Sequence, residues 1–278
     1  MPSETSGNMD TNTRQKTPKF SFIIVNYHSA ALLPACFSSF QNIILPKEYE
    51  CIVVNNDPSE ESVLLSLKER FSFTLVSLAK NHGFGFAANR GAEYAKGDIL
   101  IFLNPDARFL SGNMQDIASI FKQYPSVGIV GMKLLIEPEK PQPWSAGKHI
   151  TLVNIFRNHL GLSASTSLWN TKKSRSVTWV SGAALVIPRA LFFQIHGFDE
   201  RFFLYYEDVD LCTRTKKLHK KIVFTPRVNI LHRGGGSMEH SREQQKREYY
   251  TSQDQYFALH RPRHERFLLA IFRKIFFL

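Results

Sequence analysis

The run FSFIIVNY, Phe20 to Tyr27, decides how the rest of the chain is read. It is short, apolar and β-branched, and it ends on polar residues. That is the pattern of a strand buried on both faces. Three more runs of this kind follow: ECIVVNND (Glu50 to Asp57), FTLVSL (Phe73 to Leu78) and DILIFLNPDARF (Asp98 to Phe109). Helical spacing separates them. Ser29 to Phe40 is one such segment. SEESVLLSLKERF is a second, with Ser59 as the expected N-cap and acids in its first turn. FGFAANRGAEYAKG, closed by Gly97, is a third. Strand alternating with helix in units of about 30 residues predicts a parallel sheet with right-handed crossovers. Ligands of such sheets bind beyond the carboxyl ends of the strands. Asn26-Tyr27, Asn55-Asn56-Asp57 and Asn104-Pro105-Asp106 stand at those ends.

The second half is less regular. EPEKPQPWSAGKH reads as a proline-rich loop, and Thr151 to Ser176 show no clear period. VTWVSGAALVIPRALF reads as strand, turn, strand, helix. EDVDLCTRTKKLHKK reads as a helix with acids in its first turn and bases in its last, a pattern that also complements the helix dipole without any function. KIVFTPRVNILH is a further strand ending at His232.

Bulk properties narrow the classes. The chain has 278 residues, is 43% hydrophobic and carries a formal net charge of +11. Those values fit a folded α/β protein with an anionic partner: nucleic acid, acidic lipid or a phosphorylated substrate. No helix-turn-helix, RNA-recognition or zinc signature accompanies the charge, so nucleic acid is not the expected partner. Three widely spaced cysteines argue against a disulfide framework and for a reducing, cytosolic setting. Residues 1–18 read as a disordered polar tail without a secretory signal, and no apolar run is long enough to span a bilayer.

Five constellations carry candidate chemistry. LNPDAR puts the Asp106 carboxylate at the mouth of a buried strand, where a hard cation shared with phosphates can sit; the same triplet is also an ordinary turn. NHGFGFAANRG has glycines before a helix, suited either to anion approach or to close helix–sheet packing. VSGAALVIPR keeps side chains small around Gly182, as a pocket floor or a packed strand. Aromatics at Phe202, Phe203, Tyr205 and Tyr206 precede Glu207, Asp208 and Asp210. Their desolvation raises a carboxylate pKa in the way a general base needs. On a helix Glu207 and Asp210 share a face and Asp208 points elsewhere. ILHRGGGS pairs the His232 imidazole with a hinge-like glycine run.

Taken in order, IIVNY, VVNND, NHGFGFAANRG, DILIFLNPDARF, GFDERFFLYYEDVDL and VNILHRGGGS resemble a family 2 glycosyltransferase, nearest to the bacterial rhamnosyltransferase type. The likeness covers roughly Lys19 to Met238. It implies an α/β GT-A (Rossmann-like) fold, a mostly parallel sheet flanked by helices. Residues 19–135 would be the nucleotide-sugar half, 136–240 the acceptor and catalytic half, and 241–278 a basic helical tail. It implies Asp208 as catalytic base beside Glu207. It also implies a nucleotide-sugar site over Val25, Asn26, Tyr27, Asn55, Asn56, Asp57, Asn81, Gly83, Phe84, Asn89, Asn104, Trp179 and Gly182. Asn55 stands where the family often has an acid, and Asn104 replaces the first acid of the metal motif. Asp106, with His232, is then the expected ligand of Mg²⁺ or Mn²⁺. The implied partners are a dTDP- or UDP-sugar donor and a lipid-linked saccharide acceptor of cell-surface polysaccharide, at the inner face of the bacterial cytoplasmic membrane. A nucleotidyltransferase or a non-catalytic sugar-nucleotide binder stays open as the alternative. In RPRHERFLLAIFRKIFFL, Phe267, Ile271, Ile275 and Leu278 align on a helix, with Leu268 and Phe272 beside them. This predicts either an interfacial helix for an anionic membrane or a helix docked on the protein's own core.

Overall fold

The computed structural model describes residues 18–162, 166–234 and 242–276. The expected tail, all but its last residue, lies outside the described residues. So do Gly235 and Gly236 of the glycine run, and Leu278.

The chain opens with strand β1 (Phe20–Asn26), helix α1 (Leu33–Ser38), β2 (Tyr49–Asn55), α2 (Glu61–Leu67), β3 (Thr74–Ser77), α3 (Phe84–Tyr94) and β4 (Ile99–Leu103). Then come β5 (Arg108–Ser111), α4 (Met114–Gln123), β6 (Val127–Glu137), the short β7 (Lys140–Pro141) and β8 (Ala146–Gly147), α5 (Leu152–His159) and α6 (Thr166–Trp169). The remainder is β9 (Arg175–Val177), β10 (Trp179–Val180), β11 (Ala184–Pro188), α7 (Arg189–Gln194), α8 (Glu207–Lys217), β12 (Lys221–Leu231), α9 (Arg242–His260) and α10 (Arg263–Phe276).

The main sheet runs β3-β2-β1-β4-β11-β6-β12-β5. The first four strands are mutually parallel; β1, β2 and β4 carry the buried apolar runs that suit such a sheet, and β3 at its edge is half-buried to exposed. Strand β11 then enters antiparallel between β4 and β6, and β6 pairs parallel with β12. The sheet is therefore mixed, with its regular parallel part on the β1 side. Side chains alternate between two cores. Phe20, Phe22 and Ile24 face one layer, and Ile23 and Val25 the other. Gly91 on α3 lies so close to β1 and β2 that a Cβ there would meet Ile23 Cγ2 at 2.6 Å. Close helix–sheet packing is therefore its role.

Several boundaries differ from the sequence reading. Ser29 to Phe40 divides into 3₁₀ turns around α1, whose first turn holds Pro34. Asp57, not Ser59, caps the second helical segment: its side chain accepts from the Ser59 N–H, and Pro58 opens a 3₁₀ turn ahead of α2. Within Thr151 to Ser176, α5 forms with Thr151 as its N-cap. Its period was hidden because apolar residues lie on both its inner and its outer side. Cys36, Cys51 and Cys212 are free and buried.

Candidate active site

Beyond the carboxyl ends of β1, β2 and β4 lies a cleft of about 890 Å³. Its lining includes Val25 and Tyr27 after β1, Asn56 after β2, Asn81, Gly83 and Phe84 before α3, and Asn104-Pro105-Asp106 after β4. Trp179, Ser181, Gly182 and Ala183 from the β10–β11 turn, Glu207 and Asp208 at the start of α8, and His232 after β12 line the same space.

Two adjacent residues tie the acidic groups together. The Ala183 carbonyl accepts from the Asn104 N–H at 3.0 Å. The Gly182 N–H donates to Asp208 Oδ2 at 2.8 Å. One dipeptide thus fixes the Asn-Pro-Asp turn on one side and the α8 carboxylate on the other. Burial raises the Asp208 carboxyl above the ordinary range, while the N–H groups of Gly182 and Val209 limit the rise.

At Asp106, burial also pushes upward, but the hydrogen bond and charge of His232, with nearby backbone N–H groups, win and lower its pKa. His232 Nε2 stands 3.3 Å from Asp106 Oδ1 and 3.0 Å from Asn104 Nδ2. Its Nδ1 lies 2.7 Å from Gln142 Oε1. Gln142 Oε1 can only accept, so Nδ1 donates to it and the ring is held with Nε2 towards the cleft, between the Asn104 amide and the Asp106 carboxylate. An imidazole oriented in this way by an outer partner could offer Nε2 to a metal once that nitrogen gives up its proton. A carboxylate plus this nitrogen suits a divalent cation that takes its remaining ligands from phosphate and water. Among the described residues no cluster of three or more His, Cys, Asp or Glu side chains surrounds one point, so protein alone does not complete such a shell.

Glu207 is buried, and one of its oxygens, Oε2, has no hydrogen-bond partner. Burial, then the neighbouring Asp208, pushes its pKa well above normal. A carboxyl whose folded pKa is raised contributes its stability below the unfolded value and loses it as pH rises through the folded value. Glu207→Gln is therefore expected to raise the thermal midpoint at pH 7–8 and to leave it nearly unchanged near pH 4. Equal gains at both pH values, or a loss at neutral pH, would contradict a strained carboxyl there.

The turn that carries these acids is itself strained. Tyr205 and Tyr206 both have left-handed backbones, with φ of 68° and 66°. Such conformations persist when surroundings enforce them. Here α9 does so: Gln253 Nε2 donates to the Tyr206 hydroxyl at 2.8 Å and Ser252 Oγ donates to the Leu204 carbonyl at 2.7 Å. Across the cleft, Gly83 (φ 86°) comes so near the Phe203 carbonyl that a Cβ would sit 2.3 Å from its oxygen. Only glycine permits the Phe84 N–H to donate to that carbonyl at 2.9 Å.

Four expected site residues do not line the cleft. Asn26 is fully buried and donates to Glu60 at 2.8 Å and Asn55 at 3.2 Å. Asn55 in turn donates to Glu61 at 2.7 Å. Asp57 caps Ser59 and faces His28 Nδ1 at 3.0 Å. Asn89 bonds both backbone groups of Phe198, holding α3 to the loop before α8. Their hydrogen bonds go to the scaffold, although Asp57 Oδ2 has no hydrogen-bond partner and meets only the His28 ring. Conversely Gln142, Tyr249, Tyr250, Gln253 and Arg273 line the cleft without having been singled out. Gln142 sits in the proline-rich loop. The other four lie on C-terminal helices, where only proximity in space shows their part.

The sheet and its cleft form a GT-A fold. The sequence model of "Glycosyl transferase family 2" matches residues 21–198, and the chain belongs to that family. It is 28% identical over 228 residues to O-antigen biosynthesis protein RfbC of Myxococcus xanthus, covering 80% of this chain and 18% of that protein. It is 26% identical over 201 residues to the N-acetylglucosaminyl-diphospho-decaprenol L-rhamnosyltransferase of Mycobacterium tuberculosis, covering 65% of each. The chain thus spans less than two thirds of both relatives. Rhamnosyltransferase WbbL of Escherichia coli K12 is 24% identical over 163 residues, 54% of this chain and 61% of that one. In fold it is similar to GalNAc-T7 solved with UDP, GalNAc and Mn²⁺, with a TM-score of 0.62 at 15% identity over 80% of this chain and 44% of the other. A mannosyltransferase of Pyrobaculum calidifontis, solved with GDP-Man and Mn²⁺, gives a TM-score of 0.57 at 18% identity over 92% of this chain and 65% of the other.

Proposed function

We propose that this glycosyltransferase moves rhamnose, from a dTDP- or UDP-linked donor, onto a lipid-linked saccharide in cell-surface polysaccharide synthesis, with inversion at the anomeric carbon. The observation that carries the reading is the opening of Asp106 and Asp208 into one cleft, joined through Gly182 and Ala183. The names of the mycobacterial and Escherichia coli relatives favour rhamnose and, for the former, a lipid-diphosphate acceptor.

In this scheme Asp208 accepts the proton of the acceptor hydroxyl as its oxygen attacks the anomeric carbon, and the bond to the donor diphosphate breaks on the opposite side. Asp106 and His232 would hold a divalent cation, Mg²⁺ or Mn²⁺, which supplies positive charge for the departing diphosphate. Glu207, Trp179 and Phe84 shape the space between. The exposed apolar residues of α10 would hold the enzyme at the inner, anionic face of the cytoplasmic membrane. No helix among the described residues is long and apolar enough to cross it.

Two measurements test this. A panel of dTDP-, UDP- and GDP-sugars, screened by thermal shift with and without Mn²⁺, should give one clear responder; silence throughout would return the chain to a binding or structural role. Chelation is expected to suppress transfer, with recovery on adding Mg²⁺ or Mn²⁺, and Asp106→Asn should weaken that recovery. Full activity in chelator would assign charge neutralisation to Arg or Lys side chains instead.

A further inference from the structure

The wall of the cleft contributed by α5 and α10 has a second face. The two helices pack through Phe156 and Phe272, whose ring centroids lie 5.6 Å apart, and the Leu152 N–H donates to Glu265 at 3.4 Å. On α5, Leu152, Ile155 and His159 fall on one side by helical periodicity. Ile155 and His159 line the catalytic cleft, and Leu152 packs against the core. On α10, Leu269 and Phe272 line the same cleft.

The other sides are apolar and bare. Val153 is 66% exposed and Leu160 52%, with Leu162 just beyond at 59%. On α10, Phe267 and Ile275 are each 67% exposed, and Leu268 and Ile271 are also exposed. Isolated exposed apolar residues are ordinary, but two adjoining helices carrying them together mark an interaction surface.

Charge selects the partner. The chain has no Asp or Glu between Glu139 and Asp199, a stretch that contains all of α5 and several Lys and Arg residues. On α10 the one acid, Glu265, is paired with Arg261, while Arg263, Arg266 and Lys274 are exposed. Exposed apolar side chains on two helices that carry Arg157, Arg263, Arg266 and Lys274 exposed, with Glu265 their one acid and already paired, suit an anionic phospholipid surface.

We propose that α5 and α10 together seat on an anionic bilayer, with α5 inserting Val153, Leu160 and Leu162 beside α10, so that the apolar wall of the cleft adjoins the lipid from which an acceptor is drawn. The proposal rests on the membrane reading given above and adds α5 and the route between the helices. A lipid-anchored saccharide would approach Asp208 along side chains that already match its chain in polarity.

The test is sedimentation of the full-length protein with vesicles of phosphatidylcholine, with or without phosphatidylglycerol. The double variant Val153→Asp, Leu160→Asp changes two exposed positions outside the cleft lining. It is expected to cut partitioning onto phosphatidylglycerol vesicles by roughly tenfold or more, and Phe267→Asp serves as the α10 counterpart. Nucleotide-sugar binding without vesicles should be the same in wild type and double variant, which also reports correct folding. Wild-type partitioning by the double variant would remove α5 from the bilayer. A wild-type protein that ignores vesicles, but forms a dimer that the variant dissociates, would make this face a self-interface and overturn the proposal. Failure of the wild type to bind any nucleotide-sugar would count against the transferase reading and leave the vesicle result to stand alone.

Discussion

Asp208→Asn is expected to lower sugar transfer by about 10²–10⁴-fold, the contribution typical of a positioned general base. The amide keeps the size of the carboxylate, and its oxygen can still accept from the Gly182 N–H; the smaller loss is the second acceptor oxygen, which the Val209 N–H uses in the wild type. What disappears is the ability to take a proton. Donor affinity, measured by calorimetry or thermal shift, should stay close to wild type, because Asp208 faces the acceptor side in the proposed scheme. Single-turnover rates near wild type would remove Asp208 from that role. The pH profile offers a second check. Burial raises this carboxyl, and Glu207 beside it is raised further. Transfer should therefore fall on acidification at a pH above the ordinary aspartate range, about 3.9.

The second large effect concerns stability. Asp210 is almost wholly buried, accepting from Arg214 Nε at 2.7 Å and pairing with His260 Nε2 at 2.6 Å. Asp210→Ala leaves a largely buried guanidinium and imidazole facing an empty site. Breaking a buried pair by removing one partner typically costs about 3–5 kcal/mol. For a chain of 278 residues that corresponds to a fall in thermal midpoint of roughly 5–9 °C. Asp210→Asn retains an acceptor oxygen and should lie between the two. A loss under about 1 kcal/mol in the alanine variant would show the cluster to be solvated and weak. The measurement is denaturant unfolding at neutral pH, with vesicles absent.

Asp210 also shows what the sequence could express. The helical period placed Glu207 and Asp210 on one face and Asp208 on another; the structure buries Glu207 and Asp210 and leaves Asp208 partly exposed, with Glu207 and Asp208 both lining the cleft. The parallel half of the sheet was readable because doubly buried strands leave uninterrupted apolar runs. The antiparallel entry of β11 was not, since VSGAALVIP carries no mark of its neighbour's direction. At the strand ends, sequence singled out polar residues without saying which would be consumed locally. Asn26, Asn55 and Asp57 bond Glu60, Glu61 and Ser59, while Asn56, one residue on, lines the cleft. The alternation of side-chain direction along a strand, set against acids arriving from the next segment, makes that choice. Gln142 and Gln253 became visible only through contacts between segments far apart in the chain. The basic amphipathic tail was legible as such. Of its two expected settings the structure shows the docked one, with Leu269 and Phe272 buried on the protein, and it leaves Phe267 and Ile275 exposed.

The pair of left-handed tyrosines carries a practical lesson. The family match ends at residue 198, before Asp208, and the residues that brace Tyr206 sit later still, at Tyr249 and Gln253. A shortened version trimmed to the matched region would keep the nucleotide-side scaffold yet lack both the carboxylate and its splint. Trimming even as far as the end of β12 would retain the carboxylate on a hairpin bend free to relax. A shortened form that keeps the braced turn must therefore extend past His260, because α10 supplies Leu269 and Phe272 to the cleft and Arg273 to Gln253.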